Sequence, residues 1–284
     1  GMLQEVLESL DVDVSQISNL KITGQLMDED CYYIRRNIRY IEAINLYEAR
    51  FIDDRLPDNG FAALPCLTTF VFPKILKVIG PSAFKECALL GDLIIPEGVT
   101  HIHYNAFALG SRGSGESDPG IGDLENGLID NNLYGALVLP STLEYIGESA
   151  FRGCKFNSEL IIAEGLKKIE RCAFDGCSNF YGRLTLPAGL TQIPTELFRG
   201  TKKLTGTVVI PEGVTEIGES AFADSGITGV VFPSSVNTIK YSAFRRSKLS
   251  GDLILPESLY SIGERAFSDT PIKSVEFPEY LTFM

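Results

Sequence analysis

The sequence predicts an α/β-type, mostly-β solenoid of about eleven stacked coils, and three observations carry that prediction. First, one slot is followed six residues later by Ile and eleven residues later by Phe, eight times over. The triplets are Pro73/Ile79/Phe84, Pro96/Ile102/Phe107, Pro140/Ile146/Phe151, Ala163/Ile169/Phe174, Pro187/Ile193/Phe198, Pro211/Ile217/Phe222, Pro233/Ile239/Phe244 and Pro256/Ile262/Phe267. Second, each is preceded by a short apolar stretch that reads as a strand. Third, variation in length is confined to the stretch between each Phe and the next strand. A fixed internal period means that like side chains stack from coil to coil, because no single coil can bury its own apolar face.

Taken in order, Leu3-Gln4-Glu5-Val6-Leu7-Glu8-Ser9-Leu10 is amphipathic and is expected to cover an open end. The apolar spacing of residues 17–22 and 41–46 matches that of 67–72, and residues 27–37 between them are expected to be helical. Residues 1–60 therefore read as two longer, divergent capping coils without the Ile and Phe columns, and residues 61–284 as the solenoid proper. Within it, Leu204-Thr205-Gly206-Thr207-Val208-Val209-Ile210 reads as a strand, which Pro211 ends because it has no N–H to donate. Val214 and Ile217 turn inward, a tight turn or short helical piece follows, and Phe222 plugs the interior. Strands are expected to be parallel and to end at or near residues 22, 46, 72, 95, 139, 162, 186, 210, 232, 255 and 277. Six coils carry one added residue at the strand entrance, with Gly91, Gly135, Gly182, Gly206 and Gly251 in five of them and Ser158 in the sixth. Glycine at an insertion predicts a bulge or bend with positive φ. The last coil is unfinished after Phe277-Pro278 and Leu281, so that end is expected to be exposed or paired with another chain.

Composition narrows the function classes. The net charge of −12 argues against nucleic acid and against an anionic membrane surface, since both need a basic footprint. No apolar run approaches the ~18 residues of a membrane span. The start, Gly1-Met2-Leu3-Gln4-Glu5, lacks the basic and apolar regions of a signal peptide. Cys87, Cys154 and Cys177 fall three residues after a repeat Phe, where other coils have Gly110, Thr201, Ser225, Ser247 and Thr270. They read as small reduced packing thiols. Cys154 and Cys177, in adjacent coils, are the one pair placed to bridge. Cys31, Cys66 and Cys172 have no paired spacing, and no zinc pattern appears.

The stretch Leu137-Val138-Leu139-Pro140-Ser141-Thr142-Leu143-Glu144-Tyr145-Ile146-Gly147-Glu148-Ser149-Ala150-Phe151-Arg152-Gly153-Cys154 resembles the BspA-like class of leucine-rich repeats. The likeness covers residues 67–284 well and 17–66 loosely. It implies a right-handed leucine-rich-repeat arc with a parallel sheet on the concave side. It also implies a bacterial surface or secreted protein that binds other proteins, with no enzyme activity and no cofactor. This chain departs from the family's polar mid-strand residue.

That departure supplies the candidate site. The mid-strand residues expected on the concave face are Lys21, Asn45, Val71, Ile94, Val138, Ile161, Thr185, Val209, Val231, Ile254 and Glu276. The ends are polar and the middle almost wholly apolar, flanked by Asp92, Glu159, Arg183, Thr207 and Asp252. An apolar stripe with a charged rim resembles a macromolecular interface. Its partner is expected to be a protein or other macromolecule, or a second copy of the chain. Other candidates are weaker. His101 and His103 flank Ile102 and face solvent, two imidazoles without a third metal ligand. An insertion at about 111–133 adds about 21 residues rich in Gly and acids. Its Asp118, Asp123, Glu125 and Asp130 lack EF-hand spacing, and it reads as a surface or contact loop. Ala precedes seven of the eight repeat Phe residues, so that column reads as core. No catalytic constellation stands out. The leading expectation is a non-enzymatic adhesion or interaction module, extracellular or at the cell surface. A self-assembling structural element and an enzyme with a concave-face or insertion site are the rival classes.

Overall fold

The computed structural model describes residues 2–109, 133–279 and 281–283. The insertion, apart from Leu133, lies outside the described residues, as do its four acids. The fold is a mostly-β parallel solenoid of about ten turns, and every strand pairing among the described residues is parallel. Nine of the eleven expected positions carry strands, among them Thr69–Val71, Leu93–Ile94, Leu137–Val138, Thr207–Val209, Gly229–Val231 and Gly251–Ile254, and the coil approaching Leu186 has only Gly182–Arg183 at its entrance. The coil approaching Ile162 has only an isolated bridge between Glu159 and Tyr181. Thr69–Val71 and Leu93–Ile94 do not pair either, so this face is a row of short sheets. Coils of unequal length cannot hold one register, and a shift is visible between Gly251 and Asp252.

The Ile column does more than point inward. It builds a second, more regular set of ladders from two-residue strands. Arg55–Leu56, Val78–Ile79, His101–Ile102, Tyr145–Ile146 and Lys168–Ile169 form one sheet. Gln192–Ile193 to Thr282–Phe283 form another. Leu56 aligns with Ile79, and the Phe61 ring stacks on Phe84 at 5.6 Å. Both columns thus begin one coil earlier than expected, with Leu standing in for Ile.

The Phe turn forms a third ladder. Ser82, Phe84 and Glu86 donate their N–H groups to the carbonyls of Tyr104, Ala106 and Ala108 in the following coil. Ser220, Phe222 and Asp224 do the same to Tyr241, Ala243 and Arg245. Alternate residues adopt left-handed backbone, including Ser82 (φ 53°), Glu86 (φ 58°), Ser220 (φ 52°) and Asp224 (φ 56°). That conformation turns every second N–H the same way, and no helix forms. From Phe84 to Phe267 successive rings stack with centroids 5.2–6.0 Å apart, all but fully buried as far as Phe244.

At the N-terminus, helix α1 (Met2–Ser9) packs on helix α2 (Asp28–Asn37), each within a residue or so of the expected span. The buried Asp30 carboxylate accepts the N–H of Met27 at 3.0 Å and of Leu3 at 2.9 Å, so one side chain caps α2 and ties α1 to it. The coils on either side of the insertion stack directly. Ile94 pairs with Val138, Ile102 with Ile146, and the Phe107 and Phe151 rings lie 5.5 Å apart.

Candidate functional site

Alternation along the first row of strands puts Leu93 and Ile95 in the core and Ile94 outside. From Val71 to Ile254 the neighbours of the mid-strand residue are likewise buried or half-buried, whereas in the last coil Val275 and Phe277 are exposed along with Glu276. Val71, Ile94, Val138 and Ile161 are exposed by 37%, 59%, 46% and 72%, and Val209, Val231 and Ile254 by 60%, 50% and 69%. Thr185 is exposed between them, Lys21 and Glu276 are exposed at the two ends, and Asn45 is half-buried. The seven aliphatic residues therefore lie in one stripe of consecutive coils, interrupted by a single threonine.

The rim residues Asp92, Glu159, Arg183 and Asp252 are exposed, as is Thr207. Asp92 accepts the N–H of Ala136 at 2.7 Å across the insertion, and Asp252 accepts the Ser274 hydroxyl. Several lie over a glycine of the next coil. A Cβ on Gly182 would meet Glu159 Cγ at 3.1 Å, and one on Gly206 would meet Arg183 Cγ at 3.0 Å. Gly182 and Gly206 thus make room for the previous coil's rim side chain, whereas a Cβ on Gly91 or Gly251 would meet nothing within 4 Å. Gly91, Gly182, Gly206 and Gly251 have the expected positive φ. Gly135 does not; a Cβ there would lie 2.1 Å from Asp92 Oδ1, so close approach rather than handedness requires it. Between Thr69–Val71 and Leu93–Ile94 the stripe opens into a pocket of about 220 Å³ lined by Phe70, Phe72, Leu89 and Leu133, with Thr68 and Asp92 at its polar side.

His101 and His103 are half-buried rather than fully solvated. Their rings lie 6.2 Å apart, and each is 5.6 Å from the Tyr145 ring of the next coil. Burial, with Arg55 and His101 nearby, holds the His103 imidazole below its ordinary range. Among the described residues no group of three or more His, Cys, Asp or Glu is placed to hold a metal. Cys87, Cys154 and Cys177 are buried free thiols, as expected of packing residues. Each donates to a Phe carbonyl of the preceding coil: Phe61 at 2.7 Å, Phe107 at 3.3 Å and Phe151 at 3.0 Å. Burial pushes the Cys87 thiol up to about 12.

Sequence reasoning missed a groove along the Phe turns, lined by Arg152, Lys155, Asp175, Arg199, Lys202 and Arg246 among others. Asp175 is buried and binds the Arg199 guanidinium through both oxygens, at 2.8 and 2.6 Å; Arg152 lies 3.4 Å away. Its signal was present in the slots one, two and four residues after Phe, which hold Arg152, Gly153 and Lys155 in one coil and Arg199, Gly200 and Lys202 two coils later, with Asp175 and Gly176 between.

Stacked parallel coils, three ladders and a continuous apolar core define a leucine-rich-repeat solenoid. The chain belongs to the BspA type leucine rich repeat region family, whose profile matches residues 54–112, 130–250 and 178–284 in six copies. It is similar to a leucine-rich repeat protein from Bacteroides ovatus, with 20% identity and a TM-score of 0.53 over 95% of this chain and 75% of that one. A leucine-rich repeat protein from Eubacterium ventriosum is 17% identical, with a TM-score of 0.45 over 93% of each chain. A leucine rich cell surface protein from Faecalibacterium prausnitzii is 17% identical, with a TM-score of 0.41 over 91% of this chain and 87% of that one. No curated protein matches the chain. The likeness to the Bacteroides ovatus protein extends to the fold alone. Among the described residues no helix is long and apolar enough to cross a membrane.

Proposed function

We propose that the chain is a non-enzymatic binding module, extracellular or at the cell surface, that docks a protein partner on its aliphatic stripe. The observation that carries this reading is the exposure of Val71, Ile94, Val138, Ile161, Val209, Val231 and Ile254 in consecutive coils. Contiguous exposed apolar surface of this kind is uncommon on a chain with nothing to cover it. The rim of Asp92, Glu159, Arg183 and Asp252 adds the polar border that protein interfaces have. Membership of the repeat family supports interaction rather than catalysis, and supports the surface location. The test is Val209→Asp with Val231→Asp. Both side chains point outward, so the fold should survive. Partner capture from surface-protein extracts should fall at least tenfold, a loss of about 1.4 kcal/mol. If the folded variant captures the same partner undiminished and keeps the same oligomeric state, the stripe is not the site. If capture is unchanged and only self-association is lost, the stripe's partner is a second copy.

A further inference from the structure

A second surface lies on another side of each coil. The groove along the Phe turns encloses about 610 Å³ and is lined by five cations, Arg152, Lys155, Arg199, Lys202 and Arg246, against two carboxylates, Asp175 and Asp224. On a chain of net charge −12 this is a local inversion of sign. Its floor is bare main chain. Gly153, Gly176 and Gly200 follow one another in successive coils, and a Cβ on Gly200 would lie 3.5 Å from Gly176 Cα. Their N–H groups are already committed to the carbonyls of Asp175, Arg199 and Ala223. Recognition therefore falls to the side chains on the walls.

Those side chains differ in availability. Arg199 is clamped on Asp175 and also donates to Glu196. Arg246 holds Asp224 through two contacts, at 2.8 and 2.9 Å. Their planar forks, the groups that suit phosphate or sulfate, are thereby occupied. Lys155 and Lys202 form no ion pair with any described residue. They occupy the same slot two coils apart, across ring spacings of 5.5 and 6.0 Å. An extended peptide advances about 3.3 Å per residue, so carboxylates four residues apart on one face match that separation within the reach of a lysine stem.

We infer that this groove binds an extended acidic peptide segment, laid along the glycine floor with two carboxylates on Lys155 and Lys202. The probe is a Gly/Ser peptide carrying two glutamates four residues apart, titrated into the isotopically labelled full chain and followed by NMR. Saturable shifts should appear at the Gly153, Gly176 and Gly200 amides. Lys155→Gln with Lys202→Gln should weaken the apparent affinity about tenfold or more, and added salt should weaken it too. Lys167→Gln, which removes the partner of Glu144 elsewhere on the chain, should leave it unchanged. Should the double variant misfold, Lys202→Gln alone changes only an exposed side chain and should still weaken binding measurably. The inference is overturned if those amides do not move, if the lysine variants bind as well as the parent, or if an oligophosphate or sulfated oligosaccharide of equal charge moves the same amides at lower concentration.

Discussion

Phe222 illustrates what each repeat residue does. Its ring stacks at 5.5 Å on Phe198 and 5.2 Å on Phe244, fully buried, with Ala221 beside it. Truncation leaves a ring-sized void between two coils that the flanking ladders keep from collapsing. Phe222→Ala should therefore destabilise by about 3–5 kcal/mol, read by denaturant unfolding. A loss below about 1 kcal/mol would mean that the column is not core. Asp175 makes the polar counterpart. Its carboxylate is buried against Arg152 and Arg199, which are themselves mostly covered. Asp175→Ala leaves two guanidiniums short of a partner and should cost about 3 kcal/mol. A melt indistinguishable from the parent would show that solvent compensates.

At the scale of an element, the strand entrance and the rim meet in some coils and not in others. Gly206 has φ 79° and lies under Arg183, whereas Gly251 has φ 80° and open space where a Cβ would go. Alanine at either position incurs the left-handed penalty, about 1–2 kcal/mol. Gly206→Ala must in addition push Arg183 aside, so it should destabilise more than Gly251→Ala; the opposite order would separate glycine from the rim. Most of the strands, the Phe plug, the inward cysteines and both N-terminal helices were legible in the sequence, because each rests on a pattern of residue types at fixed spacing; the strands expected to end near residues 162 and 186 do not form. Other features were not. Leu56 escaped the Ile column because the ladder needs only an apolar side chain there. The two-residue strands of the Ile column and the left-handed residues of the Phe turn depend on the neighbouring coil for their partners, which no window on one coil contains. The acid–base groove was hidden for the same reason. Its members in successive coils, Arg152, Asp175, Arg199, Asp224 and Arg246, sit 22–25 residues apart along the chain and meet only by stacking.

For the whole molecule, stability is a sum over neighbours, so damage to one coil should stay near it. The insertion tests this. Since the coils at Ile94 and Val138 already pair, removing residues 111–131 should leave the fold and its melting temperature nearly unchanged. Loss of folding would identify the segment as a structural coil. The stripe, by contrast, is a property of the assembled body: no coil contributes more than one exposed aliphatic residue at its centre, and a surface appears only when seven line up.

The turn ladder has a directional consequence. In a strand pair the N–H groups point alternately to either side, and their dipoles largely cancel. Along the Phe turns, from Asn59 to Arg246, the N–H groups that bridge coils point toward the following coil and the carbonyls toward the preceding one. The Phe-turn ladder is thus electrically polarised along the stacking axis, with its partial positive end toward the later coils, the reverse of the chain direction in an α-helix, while N–H groups beside the Ile column, such as those of His103, Gly147, Gly218 and Gly263, point to the preceding coil and run against it. Each coil adds a like increment to that ladder.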